Sequence, residues 1–225
     1  MNQIKALAAA SAIAFMSSPA MADFLQVDSR QVPSYTYTVD INGASSPVSA
    51  RYYNVTNLDT TDSFIAFCIE MGADVTTSAW NGTADMTPTA TSDAAFPQSV
   101  VGIQSLYDQR FGSLNLTSSV EVAAFQLALW ELTDTTNTGT DFFGTGAFRN
   151  YAGNQDAIAL ATDWLTNLSD PTPNVDTYDL TAWMGGATQD MISAARGASV
   201  PEPGTLALLG LAGIAGLGVT RRKKA

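Results

Sequence analysis

The sequence predicts a mostly β domain, sandwich- or barrel-like, that carries an inserted helical subdomain and so falls in the α+β class. Three observations carry this. Residues 34–77 fall into alternating runs rich in Tyr, Val, Ile and Phe, the period of half-buried strands. Residues 97–168 change to apolar spacings of three and four, the period of helices. Past Pro171 and Pro173 the strand signals return.

Taken from the N terminus, MNQIKALAAASAIAFMSSPAMA places Lys5 ahead of an apolar run through Phe15 and closes with Ala20 and Ala22 in the A-x-A pattern. That is a signal peptide, so residues 1–22 are expected to be removed on export. SYTYTVDI and PVSARYYNV are strands separated by Asn42-Gly43, and DSFIAFCIEM is a third, set off by the cluster from Asn57 to Asp62. The stretch from Thr76 to Asp93, rich in Thr, Ser and Ala, reads as loop. PQSVVGIQSLYDQRF, SSVEVAAFQLALWELT and NQDAIALATDWLTNL are helices, the second with Ser118 and Glu121 spaced for a capping box. TYDLTAWMG and QDMISA are the returning strands, and no fixed-period repeat is present.

The C terminus, VPEPGTLALLGLAGIAGLGVTRRKKA, opens on Pro201, Glu202 and Pro203, runs uncharged from Gly204 to Thr220 and ends in Arg221, Arg222, Lys223 and Lys224. Roughly 17 residues is at the lower limit for a membrane-spanning helix. Four terminal cations would hold its end in the cytoplasm. By its residues alone it is a C-terminal anchor. The three parts in this order resemble the PEP-CTERM sorting tail of Gram-negative bacteria. The resemblance implies an exosortase as partner, processing near Pro-Glu-Pro after transient inner-membrane anchoring through residues 204–220. It also implies delivery to the cell surface or the extracellular matrix, as in a biofilm.

Residues 23–199 are then one extracellular domain. Its charge is lopsided: five arginines stand against all but one of the chain's 21 acidic residues, a net charge of about −15. Nucleic acid is excluded as a partner, because phosphate contacts need a positive footprint. The domain has no lysine, and the whole chain has no histidine. Ser-His-Asp hydrolysis and His-based zinc sites are therefore ruled out. Calcium could gather at Asp-rich turns such as Asp59 and Asp62, but no EF-hand ligand spacing occurs.

Cys68 is the chain's only cysteine. A lone thiol in an exported protein has no intramolecular disulfide partner. Downstream, helical spacing places Gln126 on one face with Val122, Ala123, Leu129 and Trp130, so a primary amide is set among apolar residues. Burying such an amide without partners is costly. FCIE at Phe67 to Glu70, followed by AFQLALW at Ala124 to Trp130, resembles the thioester domains of bacterial surface adhesins. There an aromatic-Cys-aliphatic strand precedes a Gln-x-Ala-aliphatic-Trp helix. The resemblance implies that the Cys68 sulfur is joined to the Gln126 side-chain carbonyl, with Ala128 and Trp130 matching the rest of the second motif. Phe125 departs from the threonine often found before the glutamine, and the reacting atoms are unaffected.

On that reading the domain is a covalent adhesion module for amine- or hydroxyl-bearing targets, protein or polysaccharide. It needs no cofactor, does not turn over and is not an enzyme. Phe67 and Trp130 are candidates to shield the ester, and as residues both also suit ordinary core packing. The missing lysines fit a surface that must not acylate itself. Two other classes stay open. One is a structural matrix or biofilm protein whose Cys68 is a plain buried thiol or pairs between chains. The other is a polysaccharide hydrolase drawing an acid and base from Glu70, Asp74, Glu121 and Glu131, although no spacing singles out two of them.

Overall fold

The computed structural model describes residues 23–29, 33–71, 83–90, 100–134, 136, 141–168, 177–185 and 189–197, with residues 83–90 described as main chain only. The signal segment 1–22, the tail 200–225 and Asp74 lie outside these residues. In chain order the elements are β1 (Asp23–Ser29), β2 (Tyr35–Ile41), β3 (Ala44–Ala50), β4 (Tyr52–Asn57), β5 (Ser63–Cys68) and β6 (Thr83–Ala90), then α1 (Val100–Arg110) and α2 (Ser119–Thr133), β7 (Phe148–Ala152), α3 (Gln155–Thr166), β8 (Tyr178–Met184) and β9 (Met191–Arg196). Six strands close an antiparallel barrel in the order β1-β4-β5-β9-β8-β6, and β3-β2-β7 form a separate sheet. The helices enter between barrel strands, which is the mostly β class with a helical insertion that the sequence predicts.

Local chemistry accounts for the hairpins. Asn42 and Gly43 join β2 to β3 with φ of 51° and 89°. Both values lie in the left-handed region that a two-residue type I′ turn requires. At the β4–β5 turn the Asn57 side-chain oxygen accepts from the N–H groups of Asp59 and Thr60. Asp59 in turn accepts from Phe24 N–H at 2.7 Å, so this turn also fixes the start of β1.

Two sequence expectations are corrected. The run PVSARYYNV is not one strand: it divides at Arg51, with β3 in the small sheet and β4 in the barrel. The expected loop from Thr76 to Asp93 contains β6. Its Thr- and Ala-rich composition and Pro88 argue against a strand on propensity. Pairing overrides this, since residues 83–86 pair with β1 while residues 87–90 pair with β8, so Pro88 is laddered on one side only. Strands β1 and β7 carry too little alternation to be predicted.

Helix α2 is the axis of the molecule. Every residue from Val122 to Glu131 is buried, the signature of a helix enclosed on all sides. It packs against α1, α3, β5 and the small sheet. Ser118 caps it by accepting from Glu121 N–H at 3.3 Å, but the reciprocal half of the box is absent. The Glu121 carboxylate accepts from Asn115 N–H instead. Phe125, the departure noted in the motif, fills the junction of α2 with the barrel. Its ring lies 4.7 Å from Phe67, 5.1 Å from Tyr107 and 5.9 Å from Phe111.

Candidate functional site: Cys68 and Gln126

Cys68 ends β5 and Gln126 sits in the middle of α2, and the fold brings them together across 58 residues of sequence. Cys68 N–H donates to Gln126 Oε1 at 2.9 Å, and Gln126 Nε2 donates to Cys68 O at 2.7 Å. Gln126 is fully buried, and Cys68 is 3% exposed. The expected buried amide is therefore satisfied at both ends by the backbone of the one cysteine.

The sheet switch at Arg51 explains why that backbone is open. Ile69 N–H donates to Asp190 O at the β9 edge, so by the alternation of an antiparallel ladder the N–H and C=O of Cys68 face the opposite edge, toward β4. Strand β4 begins at Tyr52, which pairs with Phe67. The residue due opposite Cys68 is Arg51, where the chain leaves the barrel for β3. Gln126 fills the vacated position as a stand-in for a peptide group. Without it, two main-chain groups would be buried without partners.

The thiol is free. Burial pushes its pKa up to about 12, opposed by a hydrogen bond from the Tyr53 hydroxyl and by the charge of Arg51, while Glu70 adds a further upward push. Tyr53 lies opposite Ala66 in the β4–β5 ladder. That places it diagonally from Cys68, within reach of a tyrosine side chain. Sequence reasoning missed Tyr53 and Arg51. The register set by the turn from Asn57 to Asp62 is the signal that would have found them.

Phe67 is buried, and strand alternation turns it away from the thiol and toward α2, where it packs on Phe125 and Tyr52. It closes the flank through which Gln126 arrives. Trp130 is buried one turn beyond Gln126, and its Nε1–H has no hydrogen-bond partner among the described residues.

Among the described residues the candidate carboxylates are not gathered into a pair. Glu121 holds Asn115 N–H, and Glu131 holds Phe143 N–H at 3.2 Å and adds to the upward push that burial gives the pKa of the Tyr151 hydroxyl. Ten residues of one helix separate them by about 15 Å, beyond the separations at which two carboxylates act on one glycosidic bond. Glu70 is exposed. Among the described residues no group of three His, Cys, Asp or Glu side chains is arranged for a metal, and no helix is long and apolar enough to cross a membrane. Residues 204–220 lie outside them.

Residues 199–223 match the family described as the PEP-CTERM protein-sorting motif. The chain carries a PEP-CTERM sorting motif. Among solved structures it is similar to the N-terminal domain of the Streptococcus pyogenes pilus tip adhesin Cpa, at 15% identity over 76% of this chain and 98% of that one, with a TM-score of 0.44. It is also similar to the N-terminal thioester domain of a surface protein from Clostridium perfringens, at 13% identity over 73% and 99% of the two chains, with a TM-score of 0.43. No curated protein matches the sequence.

Proposed function

We propose that this is an exported surface protein whose domain joins Cys68 Sγ to Gln126 Cδ as an internal thioester and spends it once, in covalent attachment to an amine or hydroxyl on a protein or polysaccharide target. The observation that carries the reading is the two-point pairing of the Gln126 amide with the main chain of Cys68. An amide is a poor electrophile, and this pairing answers the difficulty in two ways. It holds the carbonyl beside the only thiol, where proximity replaces a bimolecular encounter. It also sets a backbone N–H on Oε1, the atom that becomes negative when sulfur attacks.

The sulfur must lose its proton to attack. A thiol with a pKa of about 12 is almost wholly protonated at neutral pH. The Tyr53 hydroxyl, which holds the thiol pKa down against burial, stabilises the thiolate that forms. Sulfur then bonds to Cδ, the C–N bond breaks, and the thiol proton leaves with Nε2 as ammonia. Burial of the junction by Phe67, Phe125 and Trp130 keeps water from the product. One bond is made per molecule, which is attachment and not turnover, and no cofactor enters.

First folding of chain that has kept its Gln126 amide, such as unfolded chain made by synthesis or recovered from inclusion bodies at full mass, is expected to release one ammonia per molecule. Because thiolate attacks and its share grows as pH rises toward the thiol pKa, the rate should climb about tenfold per pH unit below that value. Tyr53→Phe is expected to slow release by about 10²-fold with a near wild-type melting temperature. Absence of ammonia would remove the thioester. A Tyr53→Phe rate equal to wild type would remove the role given to that hydroxyl.

For the tail, the proposal is exosortase processing at Pro201, Glu202 and Pro203 after anchoring through residues 204–220. An exported reporter fused to residues 200–225 should be cut only in cells that have an exosortase. Equal cutting in cells without one would leave a plain anchor.

A second reading has its own support. The same two hydrogen bonds satisfy Gln126 and Cys68 with no covalent bond, as a structural matrix protein with a buried thiol would require. The two readings differ by one ammonia in mass.

A further inference from the structure

Forming the thioester removes Nε2, and with it the donor that Cys68 O holds at 2.7 Å. That carbonyl faces the edge of β5 that Arg51 vacates, and Cys68 is 3% exposed. The cross-linked site would thus contain a buried acceptor stripped of its donor, an unfavourable state for a main-chain carbonyl. We propose that the Cys68 carbonyl is the specificity-determining group of the site, selecting nucleophiles that bring two N–H protons over those that bring one. The inference rests on the thioester reading.

Microscopic reversibility supplies the argument. Formation passes through a tetrahedral Cδ bearing Oε1, Sγ and the amide nitrogen, and attack by an amine R–NH₂ returns through the same species with R on nitrogen. There the nitrogen stands where Nε2 now stands, within hydrogen-bond reach of Cys68 O, while Oε1 remains on Cys68 N–H. As C–N forms and C–S breaks, one amine proton moves to sulfur and the other is donated to Cys68 O. The products are the N-substituted Gln126 amide and the Cys68 thiol.

A secondary amine has one N–H, so the proton that goes to sulfur leaves none for the carbonyl. A hydroxyl is in the same position. Water carries two protons, and its exclusion falls to the aromatic packing of Phe67 and Phe125. The site therefore favours primary amines, such as a lysine side chain or an amino sugar, over polysaccharide hydroxyls.

The test uses the exported wild-type protein, followed by intact mass, with isopropylamine, dimethylamine and 2-propanol at equal free-base or alcohol concentration. A small alkyl thioester in solution serves as reference. Isopropylamine is the larger of the two amines, so steric access alone favours dimethylamine. We expect isopropylamine to add at Gln126, dimethylamine to lag by about tenfold or more relative to the reference ratio, and 2-propanol not to add. A protein that starts one ammonia light yet takes up dimethylamine as readily as the reference does, or refuses isopropylamine, overturns the proposal and leaves the thioester standing. A protein that starts at full mass overturns the thioester itself.

Discussion

Wild-type protein incubated with methylamine is expected to gain one methylamine at Gln126 and to release one Cys68 thiol, while Gln126→Ala and Cys68→Ala proteins take up none. The effect is all or none because an unactivated glutamine amide does not exchange with amines at useful rates, whereas a thioester held beside a backbone N–H does. The sole cysteine makes the thiol count unambiguous. Maleimide labelling under denaturing conditions reads the released thiol, since in the fold the sulfur is buried and its pKa is pushed up to about 12. No methylamine uptake, together with full labelling before any amine is added, would leave Cys68 as a plain buried thiol.

The second large effect is on stability. Gln126→Ala leaves the N–H and C=O of Cys68 buried, without either of the two bonds that an intact Gln126 amide makes to them, at an edge that no described strand covers. An unsatisfied buried group costs about 1–3 kcal/mol, so the pair should cost about 2–6 kcal/mol. That is a large share of the typical stability of a domain, about 5–15 kcal/mol. Cys68→Ala keeps an intact amide and with it both main-chain bonds, while both variants lack the proposed cross-link, which would close a loop of 58 residues and contribute roughly 4 kcal/mol by analogy with a disulfide. Urea melts of the two variants separate the terms, and Gln126→Ala should be the weaker protein. If Gln126→Ala melts with or above Cys68→Ala, the amide is not what closes the β5 edge.

These two expectations draw on features that were legible in the sequence to different degrees. Helices were the clearest: α1, α2 and α3 all follow the three-and-four apolar spacing that predicts them. The motif residues were also legible, because a lone cysteine and an amide among apolar side chains both contradict their surroundings. What pairs across the sheet was not. Strand β6 is polar and interrupted by Pro88, and only its two different neighbours make it a strand. PVSARYYNV reads as continuous because nothing local marks Arg51 as the point where the chain changes sheets. That same change of sheets opens the edge at Cys68, so the reason Gln126 fits there was out of reach of periodicity. Tyr53 was missed for a related cause: its effect on the thiol acts between strands and depends on register. Phe125 looked like a departure from the motif, and its packing on Phe67, Tyr107 and Phe111 gives it a reason of its own.

The central claim, that Cys68 and Gln126 share a covalent bond, is tested most directly by the intact mass of the exported protein under mildly acidic, amine-free conditions. With both ends identified from the same spectrum, the account expects a mass one ammonia below that of the sequence, and Cys68→Ala and Gln126→Ala proteins at their full calculated masses. A wild-type protein at full mass would contradict it.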